Sequence, residues 1–189
     1  MNITEISTLL KDSDPSTIYE KHSEYDVSWE RYIQEEQGEY RSLSLKEVIH
    51  RMISEENYRN RSKACTCDEL GVWVRIGDVC FIDFGNAYIK EAGYQHFGLV
   101  LNIVGGKALV VPMTSNPITY QNAKNIDIKT GKEHLYAIGK VPGLNKRSVL
   151  FLNDAKFINS ARIIDVKAYI HPKSKLFKDI KMSFIKCII

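Results

Sequence analysis

The sequence predicts a small β-barrel or β-sandwich with a helical segment in front of it and a helix behind it. Three observations carry this. From Val72 the chain becomes rich in β-branched and aromatic residues, which suit a pleated, half-buried backbone. Two apolar runs, Phe97 to Val104 and Lys107 to Met113, are joined by Gly105-Gly106, and two glycines between strands favour a primed turn and a tight hairpin. Turn signals punctuate residues 72–165 often enough to leave many short strands and few helices.

Taken in order, residues 1–70 read as helical and polar. Ser13 or Ser16 can cap a helix running through Ile18, Tyr19, Tyr25, Trp29, Tyr32 and Ile33, and Gly38 is expected to end it. Ser44-Leu45-Lys46-Glu47 has the form of a capping box, with a hydroxyl at the cap and Glu47 placed to reach back. It opens a helix whose Leu45, Val48, Ile49, Met52 and Ile53 recur at i, i+3, i+4, i+7 and i+8. That stripe is expected to pack on the barrel, with a partner-binding face as the alternative.

Val72-Trp73-Val74-Arg75 leads into a strand from Gly77 to Gly85, and a polar loop, Asn86 to Gln95, follows. The continuous apolar character of the next two runs predicts burial on both faces, as in a small closed barrel. Short strand pieces are expected near Ile126-Asp127-Ile128 and Leu135 to Ile138, a turn at Thr130-Gly131-Lys132, and a strand at Ser148 to Leu152. Leu176 to Ile188 reads as a helix with Phe177, Ile180, Phe184 and Ile188 inward. The expected division is a helical, acidic extension over 1–70 and a barrel domain over 71–189 that includes the last helix.

The chain has 189 residues, 44% hydrophobic, with ten Tyr and seven Phe for a core, which is globular rather than disordered composition. No apolar run is long enough to span a membrane and the start does not read as a signal peptide, so the expected compartment is the cytoplasm. Four cysteines are too few to serve as staples, and Cys65-Thr66-Cys67 has no second pair at zinc-ligand spacing, so free thiols and no metal are expected. The net charge is only +3, but residues 1–70 hold 9 Lys/Arg against 15 Asp/Glu while residues 140–189 hold 11 against 3. A basic C-terminal third suits a polyanion such as RNA, or is simply a solvated surface.

Gly77-Asp78-Val79, Asp83-Phe84-Gly85, and then Glu91, Gly93 and His96 before the apolar strand Phe97 to Leu101 resemble the opening of the MazF/PemK toxins. Val110-Val111-Pro112-Met113-Thr114-Ser115 is similar to that family's apolar-Pro-x-Thr-Ser strand end. Gly143-Leu144, and Arg147-Ser148-Val149-Leu150 through Leu152-Asn153-Asp154, Ile158 and Arg162, resemble its late strand and following turn. The resemblance covers roughly residues 72–165 and implies a mainly-β, SH3-like barrel. It also implies a homodimeric toxin of a toxin–antitoxin system, neutralised by a cognate antitoxin protein. Such a toxin is an endoribonuclease that cuts single-stranded RNA, mRNA above all, without metal or cofactor, by attack of the RNA's own 2′-OH.

That chemistry needs a base for the hydroxyl, an acid for the leaving oxygen and donors for the phosphoryl charge. The family's key Arg-Pro pair is His96-Phe97 here. A histidine can shuttle a proton at neutral pH, as an arginine cannot, but it is a less constant positive charge. Thr114 or Ser115 matches the family's assisting hydroxyl, with a plain strand-end turn as the other reading. The late-strand Arg and Asp of some members fall on Phe151 and Asn153, leaving Asp154 as a neighbouring stand-in. Lys156 keeps the charge of the family's Arg in the following turn and is either a phosphate contact or a surface lysine. His134, in a segment read as the loop Lys132-Glu133-His134, is either the acid partner of His96 or a solvated side chain. Tyr88 and Tyr94 lie in the polar loop, where aromatic faces can stack unpaired bases, whereas Phe97 reads as core. Glu91 is expected to order that loop, and His22, His50 and His171 are assigned nothing.

The first seventy residues lie outside the resemblance. Their acidic charge suits an inhibitory segment laid over an RNA groove in cis, or a wider dimer interface. Two other readings of the whole remain open: a non-catalytic RNA- or DNA-binding barrel that has lost the family's Arg, and a regulatory module acting through protein contacts on the Leu45 to Ile53 stripe.

Overall fold

A computed structural model describes residues 26–125 and 130–189 together with residues 3, 4, 7, 8, 14, 16 and 18. Ser13, Tyr19, Tyr25 and the strand piece expected at 126–128 lie outside the described residues. By internal packing the chain falls into two units, 1–49 and 50–189. Among the described residues no helix is long and apolar enough to cross a membrane.

Helix α1 is Asp26–Ser42 and buries no residue. It starts later than a cap at Ser13 or Ser16 requires, because Ile18 is not helical, and it continues through Gly38 rather than ending there. A terminating glycine works by adopting a positive φ, and Gly38 is not among the glycines that do. Helix α2 is Leu45–Arg61. Its capping box forms as expected: the Glu47 N–H donates to Ser44 Oγ (3.3 Å) and the Ser44 N–H to Glu47 Oε2 (3.0 Å). The apolar stripe does not pack as expected, since Leu45 is 76% exposed and Met52 60%. From His50 on, the face that packs is polar instead, formed by His50, Ser54, Asn57 and Arg61, each of which bonds to the strands or the turn after β7. Hydrogen bonds rather than apolar area settled which side of this helix faces the protein, and hydrophobic spacing carries no such information.

The strands are β1 Asp78–Asp83, β2 Gln95–Val104, β3 Lys107–Thr114, β4 Ala123–Lys124, β5 Lys132–Gly139, β6 Ser148–Phe151, β7 Lys156–Asn159 and β8 Ile163–Tyr169. They form one sheet in the order β4-β5-β6-β3-β2-β1-β8. Strand β3 carries β7 along its first half and β6 at its end, which bends the sheet around it. The protein is thus mainly β with helices at either end, as its texture predicts. The β2–β3 hairpin closes at Val104↔Lys107, and Gly105 and Gly106 both have positive φ (54° and 75°), the demand of a type I′ turn.

The sheet is buried on both faces, as the unbroken apolar runs imply. Leu99, Leu101, Val111 and Met113 join one core with Leu150, Leu152, Phe177 and Ile180. Val100, Ala108 and Val110 join the other with Cys80, Ile82, Phe84, Ile158 and Ile163. The final helix, here α4 at Lys175–Ile188 after the short helix α3 at Pro117–Gln121, is capped by Ser174 Oγ and buries Phe177 and Ile180. Ile188, expected inward, is 59% exposed at the helix end.

Val72 to Arg75 is not strand. It is irregular, and buried Asp78 ties down its end, accepting from the Arg75 N–H at 2.8 Å and from Arg75 Nε at 3.3 Å, while Val72 and Val74 pack on the second core without pairing. All four cysteines are free thiols, and burial pushes the Cys80 thiol up to about 12, which makes it an inert apolar filler.

Candidate active site

His96 stands one residue into β2, directly after the long β1–β2 loop. The neck of that loop is zipped by two backbone bonds, Phe84 N–H to Tyr94 O (2.8 Å) and Tyr94 N–H to Gly85 O (2.6 Å). Tyr94 sits in the left-handed region (φ 53°), its ring stacks on His50 at 5.8 Å, and its hydroxyl accepts from Arg51 Nε at 3.1 Å. One ring face and the hydroxyl are therefore engaged by α2. Beyond this neck the exposed His96 imidazole places Nδ1 2.6 Å from Gly93 O. A carbonyl only accepts, so Nδ1 carries a proton, and in the neutral form of the ring the lone pair is on Nε2. That is the tautomer a general base needs.

Thr114 ends the neighbouring strand. Phe97 pairs with Met113, so one further step of the same antiparallel register sets His96 opposite Thr114. Both residues alternate onto the sheet face that carries Val100 and Val110. Thr114 Oγ1 accepts from the Asn116 N–H at 3.2 Å, which leaves its own proton to donate elsewhere. Ser115 follows and is exposed.

Lys156 lies opposite Val110 on β7, hence on the same face. Its Nζ is 2.8 Å from Asp154 Oδ1 and 5.7 Å from the centre of the Phe84 ring. The other Asp154 oxygen accepts from the Ala92 N–H at 2.7 Å. Consecutive loop residues Ala92 and Gly93 are thus held by Asp154 and His96 respectively, so Asp154 fixes the loop that fixes the imidazole. Part of the Lys156 charge is spent on that carboxylate. Tyr88 is 83% exposed on the same loop, open to a stacking partner. Glu91 closes a turn through its backbone N–H, onto Tyr88 O at 3.0 Å, and among the described residues the carboxylate that bonds to this loop is that of Asp154.

His134 is not in a loop. It is the third residue of β5, half-buried, with Leu135 paired to Phe151. In the sheet order β6 and β3 stand between β5 and the strand of His96, and among the described residues no hydrogen bond or ring contact joins the two histidines.

Sequence reasoning missed the polar cluster beneath the loop. Asp83, 5% exposed, accepts from Ser54 Oγ (2.7 Å), Asn57 Nδ2 (2.6 Å), Gln95 Nε2 (3.0 Å) and the Gly85 N–H (2.9 Å). Burial raises its pKa, but these four donors outweigh burial and hold the carboxyl below the usual carboxylate range. The signal was present in Ser54, Asn57 and Arg61, which repeat at helical spacing on the side opposite the apolar stripe.

No family model matches the chain, and no curated protein matches its sequence. Among solved structures the chain is similar to MazF from Deinococcus radiodurans, with 16% identity, a TM-score of 0.46, and coverage of 61% of this chain and 96% of that one. It is similar to the Mycobacterium tuberculosis toxin MazF-mt6, with 12% identity, a TM-score of 0.41, and coverage of 59% and 95%. It is likewise similar to a MazE-MazF structure from Deinococcus radiodurans, with 16% identity, a TM-score of 0.41, and coverage of 61% and 95%.

Proposed function

We propose that this chain is the toxin of a toxin–antitoxin pair, a metal-independent endoribonuclease that cuts single-stranded RNA at His96. The observation that carries the reading is the Nδ1 to Gly93 O bond, which engages one nitrogen of an exposed imidazole and leaves Nε2 for a substrate, on the strand next to the one that ends at Thr114. Nε2 takes the proton of the RNA 2′-OH as that oxygen attacks the adjacent phosphorus. Thr114 and Ser115 donate to the charged phosphorane oxygens. The imidazolium then returns its proton to the departing 5′ oxygen, leaving a 2′,3′-cyclic phosphate and a 5′-hydroxyl. The basic residues after Lys140 draw the polyanion in, Tyr88 stacks a base, and Lys156 contributes the charge that Asp154 does not absorb. The toxin works as a homodimer and is silenced by an antitoxin protein. The test is incubation with a long single-stranded RNA in EDTA: cyclic-phosphate ends support the reading, and RNA left intact both by the full chain and by a chain lacking residues 1–49 rejects it.

A single shuttling histidine makes a prediction about the other. Substitution His134→Ala leaves single-turnover cleavage within about threefold of wild type, whereas loss of a true general acid lowers it by about 10² or more. A drop of that size assigns the acid to His134 and removes the one-histidine cycle.

The acidic front segment is proposed to restrain the site. Residues 50–61 are part of the barrel unit and hold Asp83, so the deletion that tests this ends at residue 49. Chain 50–189 is expected to cut RNA faster than the full chain, and equal or slower cleavage removes self-inhibition. The exposed Leu45 to Ile53 stripe favours one second reading, a barrel acting through protein contacts, which neither binds nor cuts RNA in the same assay.

A further inference from the structure

A cavity of about 440 Å³ opens between the last two turns of α2 with Ser62 after them, the end of β1 and the turn after β7, and its lining does not include His96. This size falls within the range of small-molecule sites. Its wall presents two guanidinium groups, each aimed by backbone carbonyls. Arg61 donates from Nε to Ala161 O (2.8 Å) and from Nη2 to Ile163 O (2.6 Å). Arg162 donates from Nη1 to Phe84 O (3.1 Å) and Asp83 O (3.3 Å). Carbonyls orient a guanidinium without neutralising it, and among the described residues neither arginine forms an ion pair. The Asp83 carboxylate in the same wall is saturated by its four neutral donors. Tyr58 is 66% exposed beside the arginines, and the exposed Asn86 and Glu55 supply a neutral amide and an acceptor.

We propose that this cavity binds a single ribonucleotide. Planar guanidinium forks held in place match the oxygens of a phosphate. An exposed phenol ring stacks a nucleobase. Asn86 and Glu55 then meet the polar edge of the base and the ribose hydroxyls. The nucleotide is either free or one unit of an RNA strand, since both present the same phosphate, sugar and base. The site stands independently of cleavage at His96.

The test is isothermal titration of the full chain with adenosine, cytidine, guanosine and uridine monophosphates. In parallel the His96→Ala chain, in which the proposed cleavage is lost, is titrated with a short unmodified single-stranded RNA that keeps its 2′ hydroxyls. Saturable binding is expected, weakened about fivefold or more by Tyr58→Ala through loss of the stack. Arg162→Gln weakens it by about tenfold or more through loss of a charged phosphate contact. Both side chains are exposed, and circular dichroism confirms that the variants fold. Binding of the mononucleotides assigns the free form, and binding of the strand alone assigns an RNA unit. A chain that binds through Tyr58 and Arg162 yet cuts no RNA supports the pocket while removing the nuclease. No binding of either probe at millimolar concentration, or binding that both variants leave unchanged, overturns the proposal.

Discussion

Replacing His96 with alanine is expected to lower the proposed single-turnover RNA cleavage by about 10²–10⁴-fold, the range for a lost acid–base group. Stability changes little, because the imidazole is exposed and its one hydrogen bond goes to a loop carbonyl. Surface changes of that kind stay within about 0.5 kcal/mol, read by urea unfolding. The informative companion is His96→Arg. An arginine restores the side chain that the resembled toxins carry and keeps a positive charge, but it cannot accept a proton at neutral pH. If the imidazole moves protons, the arginine variant is as slow as the alanine variant. If a fixed charge at this spot is enough, the arginine variant cuts at the wild-type rate or faster, and the proton-shuttle assignment fails. The assay holds Thr114 and Ser115 constant, so the comparison isolates the group opposite them.

His96, Thr114 and Lys156 are marked in the sequence by the resemblance to the MazF/PemK toxins, not by a pattern of their own. Strand alternation then brings all three to one face, as the pairing of Phe97 with Met113 and of Lys156 with Val110 shows. The hairpin was legible in the residues themselves, since Gly105-Gly106 between two apolar runs admits few backbone shapes. What the sequence hid depends on contacts between distant residues. Strand β7 is short, and no turn signal sets off Lys156–Asn159, so only pairing with β3 reveals it. His134 lay among Lys132, Glu133 and a glycine-bearing turn, which looks like loop until β6 is seen beside it. The packed face of α2 was misjudged because its apolar stripe is the stronger periodic signal, while the polar side wins through bonds to Asp83 and Gln95 that lie dozens of residues away.

Those bonds set the second large effect, which concerns stability. Asp83→Ala removes an acceptor from four buried or half-buried donors at once, Ser54, Asn57, Gln95 and the Gly85 N–H. Each donor left unmet costs about 1–3 kcal/mol, and water entering the space recovers part of this, so the expected loss is about 3 kcal/mol or more. The loss extends to the loop neck, because the Gly85 carbonyl holds the Tyr94 N–H. Asp83→Asn costs less, since the Asn57 and Gln95 amides can turn to offer oxygen to its new N–H groups. The pH dependence follows from the direction of the Asp83 shift. Its folded-state pKa is depressed below the ordinary 3.8 despite burial, so the ionised form carries the stabilisation. That contribution is complete above the unfolded value and is lost as pH falls below it towards the folded one. Urea unfolding of the wild type at neutral pH and at pH values stepped below 3.8 therefore shows a declining midpoint that converges on that of Asp83→Asn, whose own curve lacks this component. Parallel curves for the two proteins across that window mean that the carboxylate charge does not hold α2 to β1, and that the amide network alone does.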